Sequence, residues 1–272
     1  MRKALDGTVL LTFAVAVYLN VALMLQGRIA LPAPADSVRS ITAATMVFSL
    51  VHGTRWLGGR ATSLFFLLST AVSWTLEQIG VKTGLVYGRY HYTDFLGPRV
   101  GEVPVIIPVA WFAMIYPSYV IACWLIDGAG RPPAPEAGAR FLWRAWVAGM
   151  VMTAWDVVLD PTYVKAGAWV WEDGGPYFGV PRQNFLGWML TTVTIYAAFG
   201  LWARRAEPRA LDGGRWLGAL PVLIYAVMTA RYVLDESRGA LSVVAFFVMG
   251  LPCLVALGRF WDSRGRSPLR SN

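Results

Sequence analysis

The sequence predicts an all-α membrane protein, a polytopic bundle of about eight transmembrane helices. Hydrophobic residues make up 56% of the 272 residues, whereas charged residues make up only 15%. A helix needs roughly 20 apolar residues to cross the hydrocarbon core of a bilayer. The apolar runs are too long and too uniform to be the alternating strands of a membrane barrel. Helices are therefore the way in which these segments satisfy their backbone groups in lipid.

Eight stretches carry few charges over the length of a membrane helix. The first is too long for the core of a signal peptide and lacks a clear small-residue cleavage site, so we expect a retained helix. We expect residues 1–260 to form a single integral membrane domain and residues 261–272 to form a polar cytoplasmic tail. The expected spans are residues 8–26, 38–57, 62–80, 105–126, 141–160, 186–203, 216–235 and 240–258.

The positive charges indicate how the spans are oriented. The net charge is +8, and with eight spans and a cytoplasmic N-terminus most Lys and Arg residues fall on the inner segments. Because positive residues concentrate on the cytoplasmic side, the pattern predicts a multi-pass protein of the cell (inner) membrane with both termini in the cytoplasm. It also accounts for the basic composition without a nucleic-acid partner. The long loops 81–104 and 161–185 are then expected on the outer side.

Cysteine and histidine are scarce. Cys123 and Cys253 both lie inside expected spans, and their spacing matches neither a disulfide framework nor a metal site. His52 and His91 are the two histidines, and we expect His52 to be a packing residue near the end of the second span. Redox and zinc chemistry therefore have little support.

The two outer loops resemble each other and predict a parallel internal repeat of helices 3–4 and 5–6. Glu77 aligns with Asp160, and each acid is followed by three residues and then by Val-Lys-x-Gly. Trp111 and Trp188 each come seven residues after a proline. Both arms have the same orientation, so the repeat implies a pseudo-twofold axis along the membrane normal with a site between the halves.

Ionisable side chains inside membrane spans are costly and mark functional positions. Glu77, Asp156 and Asp160 lie toward the outer ends of the third and fifth spans, and the two aspartates are four residues apart on one helix face. These three acids are our candidate catalytic residues. Arg231 and Asp235 have the same spacing but opposite charge, so we expect them to form an internal ion pair.

Carboxyl groups in an apolar, aromatic pocket are suited to the protonation of an isoprenoid double bond. Burial disfavours the charged form of an acid, which can then hold a proton and donate it. A second carboxylate can orient water and take its proton, and no metal, nucleotide or redox cofactor is needed. Aromatic faces stabilise a cation by about 0.5–2 kcal/mol each. The residues expected to form this substrate-binding wall are Tyr87, Tyr90, Trp111, Trp155, Trp169, Trp171 and Trp188.

Two long stretches carry a resemblance to a known family. Residues 77–111, "EQIGVKTGLVYGRYHYTDFLGPRVGEVPVIIPVAW", and residues 154–188, "AWDVVLDPTYVKAGAWVWEDGGPYFGVPRQNFLGW", look like the membrane carotenoid-biosynthesis hydratase family of the γ-carotene 1',2'-hydratase and bisanhydrobacterioruberin hydratase type. The resemblance implies a hydro-lyase that adds water to the terminal double bond of an acyclic (ψ) carotenoid end, giving a tertiary hydroxyl. It also implies a membrane-dissolved carotenoid and water as partners, with room for other carotenoid-pathway enzymes.

The sequence leaves the roles and two rival functions open. Asp156 is our leading proton donor, because Ser73 occupies its place in the first arm of the repeat, and Glu77 is the alternative donor. Asp160, expected nearer the surface, would position and deprotonate water. A lycopene-type carotenoid cyclase shares the protonation step, and a proton-coupled lipid or small-molecule transporter also fits intramembrane acids. The carbon number of the substrate, the number of ends that react and the oligomeric state are not determined by the sequence.

Overall fold

A computed structural model of the chain describes residues 2–128, 139–204 and 215–265, and this part is a helical bundle. Seven of its helical segments are long and apolar enough to cross a membrane, so the protein is a multi-pass membrane protein. In chain order the helices are α1 (Arg2–Met24), α2 (Ser37–Trp56), α3 (Gly59–Thr83), α4 (Ile106–Asp127), α5 (Arg140–Lys165), α6 (Arg182–Ala203), α7 (Arg215–Val233), α8 (Ala240–Ala245) and α9 (Leu251–Gly265).

Helices α8 and α9 form one crossing, because the π-helical turn Phe246–Gly250 joins them without a break. The segment Ala240–Trp261 is the last of the seven apolar spans. Helix α9 then continues to Gly265, so the predicted polar tail begins inside it. Residues 266–272 lie outside the described residues.

Helix α2 is less apolar than the other seven, yet it runs the whole length of the bundle. At one end, Arg39 donates a hydrogen bond to the carbonyl oxygen of Phe95, in the loop after α3, at 3.2 Å. At the other end, the Arg55 guanidinium lies 2.6 Å from the Asp6 carboxylate of α1. The described chain therefore has eight crossing helices, as the sequence predicts.

His52 shows why a polar residue is tolerated in α2. It is fully buried, and its Nδ1 lies 2.6 Å from the Tyr116 hydroxyl while its Nε2 lies 2.7 Å from the Leu217 carbonyl oxygen. Both ring nitrogens thus have partners on two other helices, which is the normal condition for a buried polar group. The predicted packing role of His52 is confirmed.

Two loops cover one end of the bundle, and we name them together the lid: residues 84–105, between α3 and α4, and residues 166–181, between α5 and α6. Strand β1 (Tyr90–Tyr92) of the first loop pairs antiparallel with strand β4 (Trp169–Trp171) of the second. A short hairpin of β2 (Arg99–Val100) and β3 (Val103–Pro104) completes the first loop.

The lid lies opposite the ends of the described chain. The N-terminal part of α1 is at the far end of the bundle, where Asp6 meets Arg55. Near the end of α9, the Phe260 ring stacks on Trp124 of α4, with centroids 5.8 Å apart. Because α4 starts at the lid and Trp124 is in its last turn, α9 ends on the same side as α1 begins.

The lid loops are shorter than predicted because two helices run on. Helix α3 extends to Thr83, and α5 passes through Pro161 to Lys165. Asp160 is therefore inside a helix and does not cap a turn. The aligned glycines Gly84 and Gly167 follow the helix ends with φ of 70° and 73°, a left-handed conformation that glycine adopts without strain.

The internal repeat stays a prediction, although several contacts agree with it. The aligned residues Trp111 and Trp188 stack on each other, with centroids 4.0 Å apart. The strands β1 and β4 of the two arms pair with His91 opposite Val170 at the centre, as an antiparallel pair around a local twofold axis would.

The expected ion pair between Arg231 and Asp235 is wrong. Helix α7 ends at Val233, so the helical spacing does not continue to residue 235. Asp235 instead pairs with Arg238 at 2.8 Å, and the Arg231 guanidinium lies 5.0 Å from the centroid of the Tyr232 ring.

Glycines let the Tyr87 ring fit between α3 and α6. A Cβ at Gly187 would lie 2.6 Å from the Tyr87 ring and 2.5 Å from the Val86 carbonyl oxygen. We therefore expect Gly187→Ala to lower the free energy of unfolding by about 1–3 kcal/mol through overpacking, measured by thermal unfolding in detergent. Gly258→Ala on the exposed face of α9, where a Cβ meets nothing within 4 Å, is the control and should not lower it. Equal midpoints for the two variants would contradict this account.

Candidate active site

A cavity of about 440 Å³, measured with its open mouth, lies beneath the lid among α3, α4, α5 and α6. All seven aromatic residues predicted from the sequence line it, together with two of the three predicted acids. The lining residues are Glu77, Tyr87, Tyr90, Tyr92, Ile107, Ala110, Trp111, Trp155, Leu159, Asp160, Trp169, Trp171, Asn184 and Trp188.

The alternating pattern of the lid strands explains how they build the roof of the cavity. In β1 the rings of Tyr90 and Tyr92 are buried and His91 is exposed, and in β4 Trp169 and Trp171 are buried around an exposed Val170. Successive side chains of a strand point to opposite faces. One face of this two-stranded sheet therefore presents four aromatic rings to the cavity.

Glu77 is buried, with 4% of its surface exposed, and three donors surround its carboxylate. The Tyr90 hydroxyl and the Tyr92 hydroxyl, the latter at 2.7 Å, donate to Oε2. The Trp111 indole donates to Oε1 at 3.2 Å. Hydrogen bonds to a carboxylate stabilise its charged form, so this arrangement suits a Glu77 anion.

The two tyrosines remain donors at any physiological pH. Burial, followed by the negative charge of Glu77, holds the pKa of Tyr90 and of Tyr92 well above the usual value of 10. Both hydroxyls therefore keep their protons and point them at Glu77.

Asp156 and Asp160 form a second carboxyl centre on α5, with 0% and 3% of their surfaces exposed. The Asn184 side-chain amide of α6 donates to Oδ2 of both, at 3.0 Å to Asp156 and 2.5 Å to Asp160. Two carboxyl groups that share one buried site repel when both are ionised, and such a pair is favoured when it holds one proton.

The two aspartates are placed differently from our expectation. Asp160 lines the cavity, whereas Asp156 is not among the lining residues and lies behind it. Asp160 is also no nearer the surface than Glu77. Asp160 is thus the aspartate that would contact a molecule in the cavity. Asp156 is linked to Asp160 through the side-chain amide of Asn184.

Sequence reasoning missed Asn184 and did not count Tyr92 among the site residues. Asn184 is in the first turn of the apolar helix α6, one turn before Trp188, and a polar residue at that position is a signal that was available. Tyr92 follows Tyr90 by two residues, the spacing of one strand face.

Stacked indoles form a wall on the α4 and α6 side. The Trp111 and Trp188 rings are 4.0 Å apart and 18° from parallel, and the Trp155 ring meets Trp188 edge-on at 6.1 Å. Aromatic faces carry negative potential, so a cation in the cavity is stabilised by them.

The cavity lacks a counter-charge for an anionic substrate. None of the lining residues is Lys, Arg or His. Lys82 and Lys165, which align with each other in the two arms, are exposed and are not among the lining residues of the cavity. An anion such as a diphosphate would therefore find no basic partner among the described lining residues.

Exposed charges join the two lid loops on the outside. The Arg89 guanidinium contacts both carboxylate oxygens of Asp173, at 2.8 and 2.5 Å, and the His91 ring lies 3.5 Å from the Glu172 carboxylate. The pairing of Arg89 lowers the pKa of Asp173. These contacts are solvent-exposed and separate from the cavity.

Comparison with known proteins agrees with the resemblance found in the sequence. A family described as "Carotenoid biosynthesis protein" matches residues 36–260, which include every residue that lines the cavity. The bisanhydrobacterioruberin hydratase of Haloarcula japonica is 30% identical over 220 residues, which is 80% of this chain and 70% of that protein. No solved structure matches the chain. The chain therefore belongs to the carotenoid biosynthesis protein family.

Proposed function

We propose that the protein is a carotenoid hydratase, which adds water to the terminal double bond of an acyclic carotenoid end and produces a tertiary alcohol. The observation that carries this proposal is the cavity itself: two carboxyl groups, Glu77 and Asp160, face an aromatic chamber whose described lining includes no basic residue. The name of the Haloarcula japonica relative, a hydratase, supports the same reaction.

In the first step of this proposal, the aspartate pair supplies the proton. Asp160 faces the cavity and shares the Asn184 amide with Asp156, so one proton is available to it. The O–H bond of Asp160 breaks as a C–H bond forms at the less substituted alkene carbon. The more substituted carbon becomes a tertiary carbocation, and the aspartate pair, now without its proton, carries two negative charges near that cation.

In the second step, the site stabilises the cation and excludes bulk water. The faces of Trp111 and Trp188 provide negative potential, and the Glu77 anion provides a full negative charge nearby. Both act in a dry site, where electrostatic interactions are stronger than in water.

In the third step, a water molecule forms a C–O bond with the cation and loses a proton to a carboxylate. Glu77 suits this role because Oε1 accepts a single hydrogen bond, from Trp111, whereas Oε2 accepts two. The net reaction consumes one water. Return of the proton from Glu77 to the aspartate pair resets the site.

The pigments of a lycopene-making bacterium that expresses the protein test this proposal. Mass analysis should show products heavier than lycopene by one or two waters, absent when the empty vector is used. An isomer of unchanged mass would instead support a cyclase, because cyclisation begins with the same protonation. Unchanged lycopene with the protein present in the membrane would contradict both.

We also propose that the lid faces the outside of the cell membrane and that both chain ends face the cytoplasm. The positive-inside distribution of Lys and Arg supports this orientation. A cysteine introduced at the exposed Asp173 should react with a membrane-impermeant maleimide in intact cells, whereas Cys123 and Cys253 are buried. Labelling only after lysis would reverse the orientation.

A further inference from the structure

Trp169 lines the cavity, and its indole N–H has no place in the mechanism above. Its nitrogen is buried and has no hydrogen-bond partner within residues 2–128, 139–204 and 215–265. Trp171, two residues further on the same strand face, donates its N–H to the Tyr87 carbonyl oxygen at 3.0 Å. The two tryptophans lie on the same strand, yet of their two indole N–H groups only that of Trp171 has a hydrogen-bond partner in the described part of the chain.

The chemistry of an indole N–H limits what can pair with it. It is a donor only, and a buried donor normally has an acceptor. A hydrocarbon end group offers no acceptor, so the carotenoid itself does not satisfy Trp169. A water molecule does, and the carboxyl groups of Glu77 and Asp160 in the cavity lining offer such a water further hydrogen-bond partners.

Trp169 and Glu77 line the same cavity and share Tyr92 as a neighbour. Its ring stacks on Tyr163, with centroids 5.0 Å apart and planes 3° from parallel. Its other neighbour is Tyr92, which it meets edge-on at 6.0 Å and whose hydroxyl donates to Glu77 at 2.7 Å. Contacts on two sides therefore hold the indole ring in one orientation in the wall of the cavity that Glu77 also lines.

We propose that Trp169 binds the water that attacks the carbocation, an assignment that rests on the proposed function. The water oxygen accepts the indole N–H through one lone pair and attacks the cation with the other. One of its hydrogens points to Glu77, which takes that proton as the C–O bond forms. Trp169 is thus a catalytic residue through its N–H as well as a wall of the cavity.

This assignment predicts how the cation divides between two fates. The cation is either captured by water or returns a proton to the aspartate pair and becomes an alkene again. In D₂O the second fate leaves deuterium in carotenoid that has not been hydrated. A residue that holds only the attacking water affects the first fate and leaves the second intact.

The test uses the purified full-length protein in liposomes with lycopene in D₂O, with products analysed by mass. Trp169→Phe keeps an aromatic ring and removes the N–H. We expect the rate of hydration to fall about tenfold, the typical effect of one lost hydrogen bond to a reacting group, while deuterium exchange stays near the wild-type rate. The ratio of exchange to hydration therefore rises about tenfold.

Matched variants separate this role from a structural one. Trp171→Phe removes an N–H bonded to the protein, and we expect exchange and hydration to fall together with an unchanged ratio. Trp155 also lines the cavity with an unpartnered N–H in the described part of the chain. A raised ratio in Trp155→Phe but not in Trp169→Phe would overturn the assignment.

Three further results decide the proposal. An unchanged ratio in Trp169→Phe overturns it. If Trp169→Phe loses deuterium exchange as well as hydration, a second variant, Trp169→His, restores a ring N–H at this position. Recovery of hydration in Trp169→His supports the proposal, and no recovery overturns it. Wild-type protein that exchanges deuterium without hydrating overturns the proposed hydratase function, and the water site with it.

Discussion

Replacement of Asp160 by Asn should abolish both hydration and deuterium exchange, with a loss of at least about 100-fold, the lower range for a general acid. Asn184 donates to Asp160 at 2.5 Å, and an amide at residue 160 fits the same space. The side chain that faces the cavity would then have no acidic proton. Because no carbocation forms, hydration and deuterium exchange, which both depend on it, are lost together.

The measurement is the liposome assay in D₂O, with Asp173→Asn as the control. Asp173 is an exposed carboxylate of the lid that contacts Arg89, so its loss changes the charge of the protein by the same amount away from the cavity. We expect near wild-type rates for the control. Deuterium exchange at the wild-type rate in Asp160→Asn would show that another group donates the proton.

Replacement of Glu77 by Gln should lower hydration by about 100-fold, the lower range for a general base, and should leave a different product pattern. Tyr90, Tyr92 and Trp111 all donate hydrogen bonds to this side chain. A neutral amide accepts weaker hydrogen bonds from these donors than a carboxylate does. The proton source on α5 is untouched, so the cation still forms, although less often.

The ratio of exchange to hydration distinguishes the two carboxyl centres. We expect this ratio to rise in Glu77→Gln, because the cation more often returns its proton when the base for water is absent. In Asp160→Asn both rates vanish. Tyr92→Phe removes one of the donors to Glu77 and serves as the graded comparison, with a smaller loss of hydration. A Glu77→Gln variant with wild-type hydration would remove Glu77 from the mechanism.

The sequence predicts the bundle well because its signal is a local property of the chain. Runs of membrane length with few charges mark the helices, and the described chain has a helix at each of the eight predicted positions. Local sequence patterns predict the ends of the helices less accurately than their positions. Pro161 suggests a stop after Asp160, yet α5 continues to Lys165, because a proline in a membrane helix is tolerated when neighbours satisfy the freed groups.

The site could be predicted as a set of residue types but not as an arrangement. Aromatics and acids concentrated in the two arms predict the cavity wall, and each predicted aromatic residue lines it. The layering of Asp156 behind Asp160 depends on how α5 is rotated against α6, which no spacing along α5 reveals. The bridging role of Asn184 depends on the same packing and is visible only when the two helices are together.

The size of the cavity has a consequence for which molecules the protein distinguishes. A carotenoid is a long rod, and a cavity lined by fourteen residues has room for no more than one end of it. If the proposed function holds, we therefore expect acyclic carotenoid ends on backbones of different length to react at similar rates, and, where both ends react, to do so in separate binding events.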